Sequence, residues 1–560
     1  MKILLAACNA KYIHSNLAVY DLKAYAEKEC QEHIVIREYT INQLKDDILK
    51  DLYREKPDVL CFSCYIWNIE FVRELAADIA KVLPKTQIWA GGPEVTYDPE
   101  EFLTRNPAFY GVMAGEGEDP FHQLSLYYLK GFPSLGEIHG ICYREGGKIR
   151  SNGLADLVDM SEIPFIYEDM SLFQNRIIYY ESSRGCPFSC SYCLSSIDKS
   201  VRFRDLSLVT KELQFFLDHK VPQVKFVDRT FNCRHEHAMT IWKYILDHDN
   251  GITNFHFEIA ADLLREEELE LISKMRPGLI QLEIGVQSTN PKTIEAIHRT
   301  MDFEELTGIV KRIHSFHNIH QHLDLIVGLP YEDYDRFHRS FNDVYGLKPQ
   351  QLQLGFLKVL KGSRMHVMAD EYDIVYKDKG PYEVLTTRWI TYGDTLRLKT
   401  VESMVEVYYN SGQFQNTLEY LETFYPDAFA FFEMLGEFYE KKGYDTISHA
   451  RIRRYDILLE FLRENPEIPI DGVIDAMLLD LYLRENLKSR PAFAPADKEM
   501  ESGIWEYRRA KKVPKTVHIE VFRNGKVLLF DYSDREPLYH NAKVEDITES
   551  VMEYRKSKNL

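Results

Sequence analysis

No cysteine follows Cys233 in this chain of 560 residues, so thiol chemistry is confined to its first half. The cysteines present are Cys8, Cys30, Cys61, Cys64, Cys142, Cys186, Cys190, Cys193 and Cys233. Their odd number, without a secretory context, argues against a disulfide framework. Apolar runs of bilayer length are also missing, and the apolar core of MKILLAAC is too short for a secretory signal. LAAC has the form of a lipoprotein cleavage box, but the run reads better as a first buried strand. The expectation is a cytoplasmic protein with no membrane contact. Basic residues are in deficit: 87 Asp and Glu against 68 Lys and Arg leave a net charge of -19, which opposes nonspecific binding to nucleic acid. The single dense basic run, YRRAKKVPK at 507–515, reads by default as a solvated connector, with a local tRNA contact as the alternative.

What is present is alternation, in two series. The first comprises KILLAA, HIVIREYT, DVLCFSC, QIWAGG and FYGVMAG, each followed by a helical pattern. This predicts an α/β domain with an open, doubly wound parallel sheet of flavodoxin type. Ligands of such sheets sit beyond the carboxyl ends of the strands. There the chain offers Asn9 to Ser15 with His14, Ser63 to Asn68, Gly91-Gly92-Pro93 and Gly115-Glu116-Gly117-Glu118. Glycine at such ends lets backbone approach a broad ligand with no Cβ in the way. Taken alone, Gly91 to Pro93 also reads as a plain turn and His14 as a polar loop histidine.

The second series is RIIYYESS, QVKFVD, FHFEIAA, LIQLEIGVQS, HLDLIVGLP and QLQLGFLKVL, six β/α units that predict a partial TIM-type barrel with its functional residues at the strand C-termini. GEIHGICYREGGKIR, between the series, reads as a small hairpin or linker. The last third is a mainly helical, aromatic-rich block, closing on a β-hairpin across Asn524-Gly525. The expected division is 1–135, a linker at 136–172, a partial barrel at 173–375 and a C-terminal domain at 376–560.

The segment RGCPFSCSYC places Cys186, Cys190 and Cys193 in C-x3-C-x2-C spacing directly after the first strand of the second series. Structural zinc wants four protein ligands, and no fourth Cys or His lies at finger-like spacing; Cys233 and His235 are the distant candidates. A cuboidal iron-sulfur cluster has four metal corners, and three thiolates can hold it while one iron stays open. Three buried core thiols are the bland alternative, and Pro187, Ser189 and Ser191 interrupt any buried periodicity.

CPFSCSYC resembles the C-x3-C-x-aromatic-C signature of radical S-adenosylmethionine (SAM) enzymes. The resemblance implies a 4Fe-4S cluster on Cys186, Cys190 and Cys193 whose open iron is chelated by the methionine moiety of SAM. Reductive cleavage of SAM then gives a radical that abstracts hydrogen, the cofactor doing the hard step while the protein orients it. It also implies that Tyr192 lies near the adenine and that Asp228, in FVDRTFN, contacts the methionine amino group, although the family's glycine-glycine-glutamate pattern is absent. Glu258, Glu283, Gln287 and Ser288, at later strand ends, are assigned to SAM or substrate; Glu258 and Glu283 also read as structural acids paired with arginine. LEIGVQS and DLIVGLPYE are similar to stretches of many radical SAM barrels.

With an open sheet in front, bearing AGGPEVT and AGEGEDP, residues 1 to about 370 resemble the cobalamin-binding radical SAM class. This implies a corrin sandwiched between the two domains, with Asn9, His14, Ser63, Gly91, Gly92, Gly115, Glu116 and Gly117 as contacts. The D-x-H-x-x-G motif of cobalamin sheets is absent from the first domain. Cys8, Cys61 and Cys64 invite comparison with methylthiotransferases, which carry a second cluster, but the fourth strand end has Gly91-Gly92-Pro93 in place of a cysteine. Cys61-x-x-Cys64 as a thioredoxin-like pair would need an exposed thiolate, whereas Cys61 is expected to point into the sheet.

The expected activity is methylation of an unactivated carbon with two uses of SAM. The alternatives are cyclisation, ring contraction or oxidation without methyl transfer, and a non-catalytic cobalamin or electron-transfer module. The resemblance implies an electron donor such as flavodoxin or ferredoxin and an unidentified small-molecule or macromolecular substrate. The C-terminal block resembles an extra domain found on some members of the class and is expected to enclose substrate or dock a partner.

Overall fold

The computed structural model describes residues 1–487, 489–495 and 498–558. Its first sheet is built from β1 (Ile3–Asn9), β2 (Ile34–Thr40), β3 (Val59–Ser63), β4 (Gln87–Gly91), β5 (Gly111–Met113), β6 (Ile141–Glu145) and β7 (Lys148–Ser151), in spatial order β2-β1-β3-β4-β5-β6-β7. The first five strands are mutually parallel; β6 and β7 add an antiparallel edge. β1 is buried along its whole length because helices cover both faces. Leu4, Ala6 and Cys8 pack into one apolar layer, and Ile3, Leu5 and Ala7 into the opposite one. Because β2 and β3 leave β1 on opposite sides, a crevice opens above the carboxyl ends of β1 and β3.

The second sheet holds β8 (Ile178–Tyr180), β11 (Gln223–Phe226), β12 (Asn254–Ile259), β13 (Ile280–Gln287), β14 (His320–Val327) and β15 (Gln351–Phe356). These strands follow one another in order, all parallel, and β15 does not close onto β8. This is the predicted partial barrel. On β13 the residues Ile280, Leu282, Ile284 and Val286 are buried in the layer shared with the surrounding helices. The alternate positions Gln281, Glu283, Gly285 and Gln287 therefore face the concave side, which is polar where a closed barrel would be filled with apolar side chains. Two short antiparallel pairs flank the sheet, β9 (Ser183–Arg184) with β10 (Arg202–Phe203) and β16 (Val375–Tyr376) with β17 (Val384–Thr386).

The C-terminal helices share a continuous apolar layer with the barrel helices, Phe429 and Phe432 packing against Phe341. The hairpin at Asn524-Gly525 forms, between β18 (Val517–Val521) and β19 (Val527–Arg535), with Gly525 at φ +84°. It is extended by β20 (Ala542–Asp546), after which comes a helix, Thr548–Lys558. No described helix is long and apolar enough to cross a membrane.

Candidate functional site

The cysteine loop leaves the mouth of the barrel just after β8. Gly185 turns it at φ +95°, where a Cβ would stand 2.7 Å from the carbonyl oxygen of Ser200, so only glycine fits. The β9–β10 pair ties the two ends of the loop together. Asp228 holds its base, accepting hydrogen bonds from the Ser182 amide at 2.8 Å, the Ser182 hydroxyl at 2.6 Å and the Ser183 hydroxyl at 2.7 Å. Burial raises this carboxyl to about 6 against those donors. In this arrangement the Asp228 carboxylate is fully buried, turned to the loop and outside the cavity wall.

Cys186 and Cys190 are buried, Cys193 is half-buried, and all three thiols are free. They line one cavity of about 190 Å³ together with Tyr192, Arg229, Thr230, Glu258, Glu283, Gln287, Arg299 and Asp324. Metal–sulfur bonds of about 2.3 Å would keep thiolates on a single ion within about 4.6 Å of one another. The three sulfurs do not all lie within 4.8 Å of each other, so they are spread too widely for one ion. A polynuclear cluster, with each sulfur on a different iron, suits that spread. Arg299 donates to Cys190 Sγ at 3.7 Å and to the Tyr192 hydroxyl at 3.4 Å, and also to the Gly285 carbonyl. Burial raises the Cys190 thiol, and the guanidinium opposes that rise. Cys186 Sγ lies 3.6 Å from the Thr230 hydroxyl.

Of the expected barrel residues, Tyr192, Glu258, Glu283 and Gln287 reach this cavity. Burial pushes Glu258 up to about 7. Burial acts upward on Glu283 too, but His256, Lys225 and His322 outweigh it and hold that carboxyl near 2. Gln287 follows a break in strand register at φ +72°, and its buried Oε1 has no hydrogen-bond partner, a strained and unsatisfied group at a cavity wall. Ser288 is fully buried and donates to Glu332 at 2.7 Å, away from the cavity. His235 is turned to Glu267 and Glu268, each 3.2 Å away, and neither it nor Cys233 lines the cavity.

Through Ser195 and Arg229 the cysteine cavity adjoins a larger one of about 670 Å³ between the two domains, walled by Asn9, His14, Tyr65, Trp67, Tyr179 and Glu181. This in turn shares Tyr65, Tyr97, Arg184 and Leu194 with a third space of about 450 Å³ that holds Ser63, Gly91, Gly92, Gly115, Glu116 and Gly117. The expected strand-end residues thus gather along one cleft. Gly92 sits at φ +114°, and a Cβ there would meet the Cys64 carbonyl oxygen at 2.5 Å. His14 bridges the domains, its Nδ1 2.6 Å from the Tyr179 hydroxyl. Asn9 donates to the His14 carbonyl at 3.0 Å and to Glu38 at 2.9 Å. Glu116 is chiefly a domain tie, pairing with Arg184 at 3.4 Å and with Arg202. Cys61 packs on the opposite face of the first sheet from Cys8 and Cys64, so these three cannot converge on a second cluster. Burial pushes the Cys8 and Cys61 thiols up to about 12, far from the depressed value of a redox-active thiolate.

Sequence reading missed Arg184, Arg229, Thr230, Lys225, His256, Arg299, His322 and Asp324. In HQHLDLIV of β14, His320, His322 and Asp324 recur at every second position, a period-2 polar signal that marks a wet concave face. Arg299 stands alone in a loop and has no such signal.

Family models match three segments: a B12 binding domain at residues 3–125, the radical SAM superfamily at 180–344, and a protein of unknown function (DUF4080) at 370–559. The chain is 27% identical over 309 residues to 2-(S-pantetheinyl)-carbapenam-3-carboxylate methyltransferase of Streptantibioticus cattleyicolor, covering 52% of this chain and 44% of that protein. It is 21% identical over 323 residues to an anaerobic magnesium-protoporphyrin IX monomethyl ester cyclase of Rubrivivax gelatinosus, covering 54% of this chain and 57% of the other. The chain therefore spans about half the length of these curated relatives. Its fold is like that of the cobalamin-dependent S-adenosylmethionine radical enzyme OxsB, solved with aqua-cobalamin and S-adenosylmethionine bound, at TM-score 0.59 and 16% identity over 91% of this chain and 75% of that one.

Proposed function

From a chain that carries a B12-binding domain followed by a radical SAM domain, we propose a cobalamin-dependent radical SAM methyltransferase that acts on an unactivated carbon. The functional division follows the expected one, with a corrinoid domain at 1–135, a connector at 136–172, the SAM barrel at 173–375 and an enclosing domain at 376–560. The observation that carries the reading is the junction of a three-thiol cavity with a cleft lined by glycine-rich strand ends.

Cys186, Cys190 and Cys193 hold the cluster, and Arg299 offsets thiolate charge while tying the loop to β13. Tyr192 and Gln287 bound the space for SAM. Gly91, Gly92, Gly115 and Gly117 allow close approach of a flat corrin, and Asn9, His14 and Ser63 form its polar rim. When bound, the cluster supplies the electron that cleaves SAM, and the corrinoid carries the methyl group. The chain's own contribution is to orient both in a walled cleft and exclude water. A small one-electron carrier of the flavodoxin or ferredoxin kind suits the reduction.

The test is to incubate anoxically reconstituted, reduced protein with methyl-labelled SAM and candidate substrates. Label recovered in product, with one deoxyadenosine formed per transfer, supports the proposal. Deoxyadenosine with unlabelled, dehydrogenated or cyclised product favours the second reading, which the similarity to a cyclase motivates. Absence of SAM cleavage in the fully loaded protein contradicts both.

A further inference from the structure

Below the cysteine cavity, the concave side of the barrel carries a group of donors that the cluster and the corrinoid do not use. Parallel pairing puts Glu283 of β13 directly opposite His322 of β14, and Asp324 lies two residues along the same face. One donor atom from each of Glu283, His322 and Asp324 falls within 4.8 Å of the other two. Chelation of one ion by three donors at about 2.0–2.2 Å needs that convergence. His322 Nε2 and Asp324 Oδ1 stand 3.0 Å apart, yet neither has a hydrogen-bond partner of acceptable geometry, and both atoms are buried. His322 is only 6% exposed, so its unpaired nitrogen has no bulk water to turn to.

Glu283 is held from behind. His256 Nε2 lies 2.9 Å and Lys225 Nζ 3.2 Å from its Oε2, and among the described residues no hydrogen bond falls on Oε1. Such an arrangement, in which outer partners fix one carboxylate oxygen and leave the other free, orients metal ligands in many sites.

We propose that Glu283, His322 and Asp324 bind a divalent first-row cation in the barrel, separate from the cluster. Two carboxylates and one imidazole form a hard donor set that suits Mn2+, Fe2+ or Zn2+ over softer ions. Two negative charges match the cation, and Lys225 and His256 keep their hold on the far oxygen of Glu283. Three protein ligands leave coordination positions open. Because Glu283 and Asp324 also wall the cysteine cavity, those positions face the reaction space and take an oxygen donor of the substrate, such as a hydroxyl, carboxylate or phosphate. The proposal does not depend on methyl transfer.

The test uses the full chain, anoxically reconstituted with its cluster, freed of loose metal and titrated with Mn2+, the unbound ion being read by its electron paramagnetic resonance signal. Mn2+ is the probe because it neglects thiolates. The expected result is about one Mn2+ per chain, bound about tenfold or more weakly by His322→Ala and Asp324→Asn and about tenfold more weakly by His256→Gln, with iron content unchanged. Failure of the natural chain to bind Mn2+ overturns the site, whether or not the variants fold. Equal binding by the natural chain and by variants of unchanged iron content also overturns it.

Discussion

Glu332 is buried, and its two carboxylate oxygens are served unequally. Its Oε1 accepts from Ser288 at 2.7 Å and Ser340 at 2.6 Å, while its buried Oε2 has no partner. Burial pushes this carboxyl up to about 7 from an ordinary 4.5. A raised acid stabilises the fold fully below its unfolded value, and that contribution is lost as pH rises through about 7. Glu332→Gln removes the titration. The variant's stability relative to the natural chain should therefore rise by about 3 kcal/mol between pH 5 and pH 8 in urea unfolding; a pH-independent difference contradicts the assignment. At this scale the cysteine group was legible because three thiols within eight positions stand out in a chain otherwise sparing of cysteine, and they line one cavity. For Asp228 and Ser288, position at a strand end does not say which way the side chain turns. Both are drawn into buried hydrogen bonds with neighbours in the fold.

Among the elements, glycine-rich turns shape the cleft wall. In the loop after β4, Gly92 adopts a backbone conformation closed to other residues and lies against Cys64. Gly92→Ala should lower corrinoid binding by about tenfold or more, since even 1.4 kcal/mol of strain in the bound conformation is a factor of ten. Iron bound by the three cysteines should stay the same. Absorption spectra and iron analysis of the same sample check both halves, and unchanged corrinoid affinity contradicts the role given to this loop. Parallel strands were legible from apolar runs bounded by small polar residues. The register break between Gly285 and Gln287 was not, because it depends on pairing with β14. The extension of the C-terminal hairpin by β20 escaped for a related reason: Ala542–Asp546 is an exposed edge with little apolar pattern.

At the scale of the whole molecule, the cleft depends on how the two sheets are tied. Arg184, two residues before Cys186, pairs with Glu118 at 2.9 Å and with Glu116 at 3.4 Å, while Arg202 adds a second bond to Glu116 and Arg176 pairs with Glu38. These side chains are mostly buried, so removing one partner leaves an uncompensated charge out of water, which is costly. Replacing Glu116 and Glu118 together by Gln should speed hydrogen exchange at residues 9–16 and 179–185, on both walls of the cleft, and leave the C-terminal helices unchanged. Uniform acceleration across the chain would contradict a local tie. None of these partners could be matched from sequence, since they lie 66 to 138 positions apart and meet only when both sheets are formed.

That three thiolates hold a cluster whose remaining iron is open to SAM is the premise of the proposed chemistry. Its most direct test is electron-nuclear double resonance of the reduced, anoxically reconstituted chain mixed with SAM labelled with nitrogen-15 at its amino group. The account predicts a hyperfine coupling between that nitrogen and the cluster, lost in Cys190→Ala; a fully formed cluster without coupling to the label would contradict it.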